Sequence, residues 1–274
     1  MRYTPRQPDE GINVSKTHPL VEAGTLVLGL TAFFVIATIL LVYLVEIMLR
    51  LVSVETETRW FAGWVPDDVV AIEDEDPRTT QTRALLQRLT THWADANYEF
   101  RLNVEESDMP NAMALPGGLI IVTTALLDSV ETENELAFVL GHELGHFRNR
   151  DHIRQLGRAT VLSLFFTAIT QGSSSGNFGF NITDLTLRNF SREQESEADQ
   201  FGLSIVYAEY GHVNDAWRFF DRVSDIVGDG GMLRDYLDTH PQPDSRIDAL
   251  KAYARANGWP LEGQLREWTA DDTL

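Results

Sequence analysis

Residues 142–146 read His-Glu-Leu-Gly-His. In a helix, positions four apart lie on one face. His142 and His146 can then reach a single metal ion, with Glu143 on the side where a metal-activated water would lie. A bound zinc ion lowers the pKa of such a water from about 16 to near 7, and a carboxylate beside it can take the proton. The chemistry on offer is hydrolysis by an activated water. The five-residue pattern also fits a helix whose histidines only bond their neighbours, so the reading needs a third ligand.

Residues 191–202 supply a candidate, SREQESEADQFG. Ser191 with Gln194 three residues on is a capping box that opens a helix. On that helix Glu195 and Asp199 are four apart and share a face. Glu195 completes three protein ligands and leaves a fourth position for water or substrate, while Asp199 can accept the ring N–H of a ligand histidine. Glu193 and Glu197 are rivals by type, and spacing relative to Ser191 and Asp199 favours Glu195. The expected complement is one Zn2+ per chain. The chain has no cysteine, which excludes disulfides and thiolate metal sites.

The elements that hold these groups follow from periodicity. Residues 79–93 place Leu85, Leu86, Leu89 and Trp93 at helical spacing, 98–104 alternate like a strand, and Pro116-Gly117-Gly118 is a turn before the strand-like LIIVTT run. Residues 131–150 read as a long helix, 172–181 (GSSSGNFGFN) as a loop, and 213–227 and 245–257 as further helices. The fold class is α+β, a mostly helical gluzincin-like domain with a small β-sheet, preceded by one transmembrane helix.

Residues 24–45 contain no charge over 22 positions, long enough to cross a bilayer. The run is too long, and starts too late, for a cleaved signal peptide. Arg2, Arg6 and Lys16 precede it, while Arg50 and Arg59 follow closely. Three basic residues against two put the tail in the cytoplasm and the following domain on the extracytoplasmic (periplasmic) side of the cell membrane. The divisions are a tail (1–23), an anchor in contact with lipid (24–50), a linker (51–78) and a zinc domain (79–274). A second apolar run, 159–170, is too short to span; it reads as a buried core helix or a helix resting in lipid. The formal charge of −19 falls wholly on residues 54–274 and argues against nucleic-acid binding.

With HELGH, SREQESEAD, THPQPDSR and the upstream NAMALPGGLIIVTTALLD in order, roughly residues 80–255 resemble peptidase family M48, the HtpX-like and CAAX-prenyl-protease-like zinc metallopeptidases. The resemblance implies zinc on His142, His146 and Glu195, with Glu143 as catalytic base and Asp199 in support. It implies that His240 stabilises the oxyanion and that Arg246 supports that region or contacts substrate. It also implies that the strand holding Gly117, Gly118, Leu119, Ile120 and Ile121 is an edge that pairs with an extended protein or peptide substrate. The multi-span members of the family carry several membrane helices. The single span here points to single-anchor members that handle membrane or envelope proteins. His152 lies off the ligand face and reads as structural.

Two other classes compete. A non-catalytic, chaperone-like client binder would have no use for Glu143, and a zinc hydrolase of small amides or lipids would have a deep closed pocket. A membrane-protein complex and a homo-oligomer both remain open.

Overall fold

The computed structural model describes residues 17–65, 76–169, 190–221, 240 and 246–268. The 172–181 loop, the acidic run of the linker and most of the Thr-His-Pro segment lie outside the described residues.

Helix α1 (Pro19–Leu51) starts at a His18 cap with proline in its first turn, and buries no residue. Its 33 residues extend about 50 Å at 1.5 Å per residue, more than a hydrocarbon core of about 30 Å. Helix α2 (Val54–Trp60), capped by Ser53, occupies part of the expected linker. Its Glu57 is fully buried. The carboxylate accepts from the Gly117 N–H (3.1 Å), His152 Nε2 (2.7 Å), the Tyr98 hydroxyl (3.0 Å) and Arg150 Nη2 (2.7 Å). Because Arg150 also donates to the Val52 carbonyl, the foot of α1 is tied to the end of the helix that carries the two histidines.

Helix α3 (Pro77–Thr90), capped by Asp76, buries Leu85, Leu86 and Leu89 as its spacing predicts. It ends before Trp93, which packs against Tyr98, Phe100 and Phe201. Strands β1 (Arg101–Glu105), β2 (Ala112–Leu115) and β3 (Leu119–Thr123) form a sheet in the order β1-β3-β2. β1 runs parallel to β3 and β2 antiparallel to it. Ile120 and Val122 enter the main core, while Leu119 and Ile121 join Met113 and Leu115 under Trp64 and Val65.

This topology corrects one expectation. β3 is the central strand, paired on both sides and buried along its length. Its N–H and C=O groups are committed to neighbours, so Leu119, Ile120 and Ile121 cannot pair with a substrate. Gly117 and Gly118 have φ of 81° and 85°, a region that glycine adopts without strain. Their close approaches are to the chain itself. An added Cβ would lie 2.6 Å from Phe61 Cβ and 2.7 Å from the Glu99 carbonyl oxygen, respectively. β2 is an edge strand of this sheet and packs against the helix that carries the histidines.

Helix α4 (Thr124–Ser129) leads to α5 (Glu133–Asn149), capped by Thr132 and stopped by left-handed Arg150. α5 is buried on every side from Asn134 to Phe147 and forms the spine of the core. Helix α6 (Asp151–Ile169) runs back against α1, and α7 (Arg192–Tyr210) begins at the expected Ser191–Gln194 capping box. Helix α8 (Arg246–Ala256) closes the domain. The helix expected over 213–227 is described only to 221 and starts at 218.

Candidate metal centre

His142 and His146 lie in the second half of α5, and α7 crosses that half so closely that backbone meets backbone. A Cβ at Gly145 would lie 2.6 Å from Ala198 Cα, and one at Gly202 would lie 2.8 Å from the His142 nitrogen. Gly141 with Gly145, and Ala198 with Gly202, are each four apart and so share a helical face. This crossing brings Glu195 and Asp199 of α7 up to the two histidines.

Nitrogens of His142, His146 and His240 and an oxygen of Glu195, all from buried residues, lie within 4.8 Å of one another. His142 Nε2 and His146 Nε2 are 3.1 Å apart. Glu195 oxygens lie 3.6 Å and 3.5 Å from those two nitrogens. His240 Nδ1 stands 3.0 Å from Glu195 Oε1 and 3.2 Å from His142 Nε2.

The opposite ring atoms explain this orientation. His142 Nδ1 is 2.9 Å from Asp199 Oδ1, and His146 Nδ1 is 3.0 Å from Asp151 Oδ2. An ionised carboxylate only accepts, so each Nδ1 donates and each Nε2 turns a lone pair inward. Two lone pairs and a carboxylate thus face one another in a buried space. Glu195 Oε2 has no hydrogen-bond partner, although Arg246 Nη1 lies 3.1 Å away as an ion pair. Such an electron-rich space calls for a cation. His146 registers the same demand. Burial pushes its pKa down, yet hydrogen bonds to Asp151 and Glu195 and the charges of Glu195 and Glu143 raise it to about 10. For His142 burial prevails, and its pKa falls to about 4.

Arg246 grips Asp199 through Nε and Nη2, and its Nη2 is also 3.2 Å from His142 Nδ1. It is buried beneath the site. Glu143 is also buried, with Oε1 lacking a hydrogen-bond partner and lying 3.8 Å from His240 Nε2. Burial raises its pKa, against the pull of His240 and His146 and a hydrogen bond from the Ala114 backbone on β2. The structure therefore gathers His142, Glu143, His146, Glu195, Asp199, His240 and Arg246 in one place. It leaves Gly117–Ile121 apart, in the sheet and its turn.

Sequence reasoning missed three contributors. Asp151 holds His146, with only its place five residues after that histidine as a signal. Phe190 stacks on the His146 ring at 3.8 Å and 16°, from the residue before the capping box. Glu57 falls in the expected linker and is a buried hub. His152, read as structural, is that hub's partner.

Comparison with known proteins bears on what this arrangement is. Mitochondrial metalloendopeptidase OMA1 of Schizosaccharomyces pombe is 28% identical over 197 residues, covering 71% of this chain and 57% of that protein. The β-barrel assembly-enhancing protease of Escherichia coli is 25% identical over 195 residues, covering 66% of this chain and 40% of its own length. The chain thus spans about half the length of the curated relatives it matches. The profile of peptidase family M48 matches residues 77–254. That span takes in every side chain of the buried cluster and well over half of the sequence, and the chain belongs to peptidase family M48.

Proposed function

We propose that this protein is a membrane-anchored zinc metalloendopeptidase. The observation that carries the reading is the inward convergence of two histidine lone pairs and the Glu195 carboxylate, with an unpartnered Glu143 oxygen beside them. Zinc bonds of about 2.0–2.1 Å in a tetrahedron require ligand atoms about 3.3 Å apart. The 3.1, 3.5 and 3.6 Å separations among His142, His146 and Glu195 fit that demand.

Zinc bound there supplies an electrophile for a scissile carbonyl and a water acidic enough to lose a proton near neutral pH. The rest falls to the chain. Asp151 and Asp199 hold the two imidazoles in the tautomer that presents Nε2. Arg246 neutralises Asp199 and keeps it in place. Glu143, whose pKa burial raises, accepts a proton from water and returns it to the leaving amine. His240 occupies the fourth corner of the cluster, so its ring must withdraw before a substrate oxygen can enter. Once withdrawn, it can donate to the developing oxyanion. The open edge of β2, next to Glu143, is where an extended peptide would add as a strand.

The anchor sets this chemistry at a membrane. The names of the relatives speak of mitochondria and of β-barrel assembly. We read the present chain as acting on proteins of the cell membrane or envelope in quality control, with its domain on the extracytoplasmic side. The test is metal content by mass spectrometry on the full chain in detergent, for wild type and Glu195→Ala. We expect about one zinc per wild-type chain and a large loss in the variant. A folded wild type without metal would refute the reading, and equal zinc in both proteins would remove Glu195 as a ligand.

A further inference from the structure

Helix α6 leaves the metal centre and runs along the anchor helix. Its first residue, Asp151, holds His146. Arg150 then reaches the Val52 carbonyl, Arg154 Nη1 lies 3.6 Å from Glu46 Oε1, and Arg158 Nη2 lies 3.1 Å from the same oxygen. A Cβ on Gly157 would touch Val45 and Leu49, at 2.9 Å and 2.5 Å. As numbers rise along α6 they fall along α1, so the two helices are antiparallel. Whatever follows Arg158 therefore runs beside the part of α1 before Glu46.

That part of α1 is the uncharged run, 24–45, whose large apolar side chains are exposed. The charge boundary falls at the same height on both helices. On α1 the apolar run ends at Val45, and Glu46 and Arg50 follow. On α6, Arg154 and Arg158 precede ATVLSLFFTAI, residues 159–169, which also carry no charge. Arg50 and Arg158 keep 65% and 39% of their side chains exposed at this level, as basic residues at a headgroup layer do. Past the boundary, Ala159 and Val161 are buried, while Leu162 is 44% exposed and belongs to no core cluster. The Thr160 hydroxyl is satisfied inside the helix by the Leu156 carbonyl at 2.8 Å.

We propose that residues 159–169 of α6 sit in the bilayer beside α1, with acyl chains covering the face that carries Leu162. Eleven residues rise about 16 Å, so the helix end reaches roughly the middle of a 30 Å core and does not cross it. Gly157 sits at the crossing and lets the two backbones approach, as small residues do between membrane helices. The metal centre is thereby fixed relative to the bilayer, with about 10 Å of helix from Asp151 to Arg158 between them. This inference concerns lipid contact alone and stands or falls separately from the peptidase reading.

The cysteine-free chain allows a clean test. Single cysteines at Leu162, at Ser163, in the anchor at Leu41 and on the domain surface at Asn257 are labelled with an environment-sensitive nitrobenzoxadiazole dye. The full chain is then placed in phosphatidylcholine vesicles with or without brominated acyl chains. Labels at Leu162 and Ser163 are expected to emit to the blue and to be quenched by bromolipid like the label at Leu41, while Asn257 behaves as in water. Emission from both α6 labels matching that of Asn257 would overturn the proposal. So would blue emission that bromolipid does not quench, because it would place another protein surface, such as a second copy, over this face.

Discussion

Substituting Gly145 by alanine tests whether the close crossing of α5 and α7 sets the ligand distances. The added methyl would lie 2.6 Å from Ala198 Cα and 2.8 Å from the Ala198 carbonyl oxygen. Ordinary carbon contacts are about 3.5–4.0 Å, and here the obstacle is backbone, so the helices must part by about 1 Å. Glu195 sits one turn before Ala198 and moves with it, while His142 and His146 stay on α5. The Glu195 separations of 3.5 and 3.6 Å from the two imidazoles would grow by a comparable amount. Metal sites tolerate about 0.2 Å. We expect metal affinity to fall about 10–100-fold, as when an outer-shell support is lost. Turnover at saturating metal should fall on the order of 100-fold, the scale of a 1 Å misplacement. Stability should change less. Overpacking costs about 1–3 kcal/mol, while alanine in place of glycine regains about 1 kcal/mol of helix propensity. Competition with a chromophoric chelator reads the affinity, and urea unfolding reads the stability. Gly29→Ala in the anchor, where a Cβ meets nothing within 4 Å, should change neither. Wild-type affinity and turnover in a folded Gly145→Ala protein would refute the reasoning.

Two further outcomes follow from buried carboxylates. Glu57 has its pKa lowered from 4.5 to about 2, because bonds from His152, Arg150 and Gly117 outweigh the burial that would raise it. The folded value lies below the unfolded one, so its stabilisation is complete above pH 4.5 and disappears as the pH falls toward 2. The shift corresponds to about 3 kcal/mol. Glu57→Gln should therefore flatten the acid limb of a stability–pH profile, and an unchanged limb would show that the hub contributes nothing. Asp151→Asn leaves one acceptor oxygen where His146, Arg154 and Gln194 now share two, removes the charge, and should weaken metal binding about 10–100-fold. Glu197→Gln, on an exposed part of α7, should leave it unchanged, and equal affinities for the two variants in chelator competition would remove Asp151 from the site.

The buried cluster was readable because its spacing is helical. His142 with His146, and Glu195 with Asp199, share faces by sequence separation alone. The capping box marked the start of α7 to the residue. What escaped depends on tertiary contact. Nothing local distinguishes Glu57 or Asp151 from a surface acid until the partners Arg150, His152 and His146 arrive. The β2 strand, AMAL, has little strand propensity and exists because β3 pairs with it. The edge assignment of β3 was avoidable, since a continuous LIIV run is what a strand flanked on both sides looks like. The small residues at 141, 145, 198 and 202 were also present as a pattern on both helices, and would have announced the crossing.

The most direct test compares cleavage of an unfolded protein substrate by wild type and Glu143→Gln in vesicles, at equal measured metal occupancy. Glu143 ligates nothing in this arrangement, so the variant should keep its metal and lose turnover by about two to four orders of magnitude, the contribution of a general base. Retained proteolysis in a metal-loaded Glu143→Gln protein, or none in the metal-loaded wild type, would contradict the account.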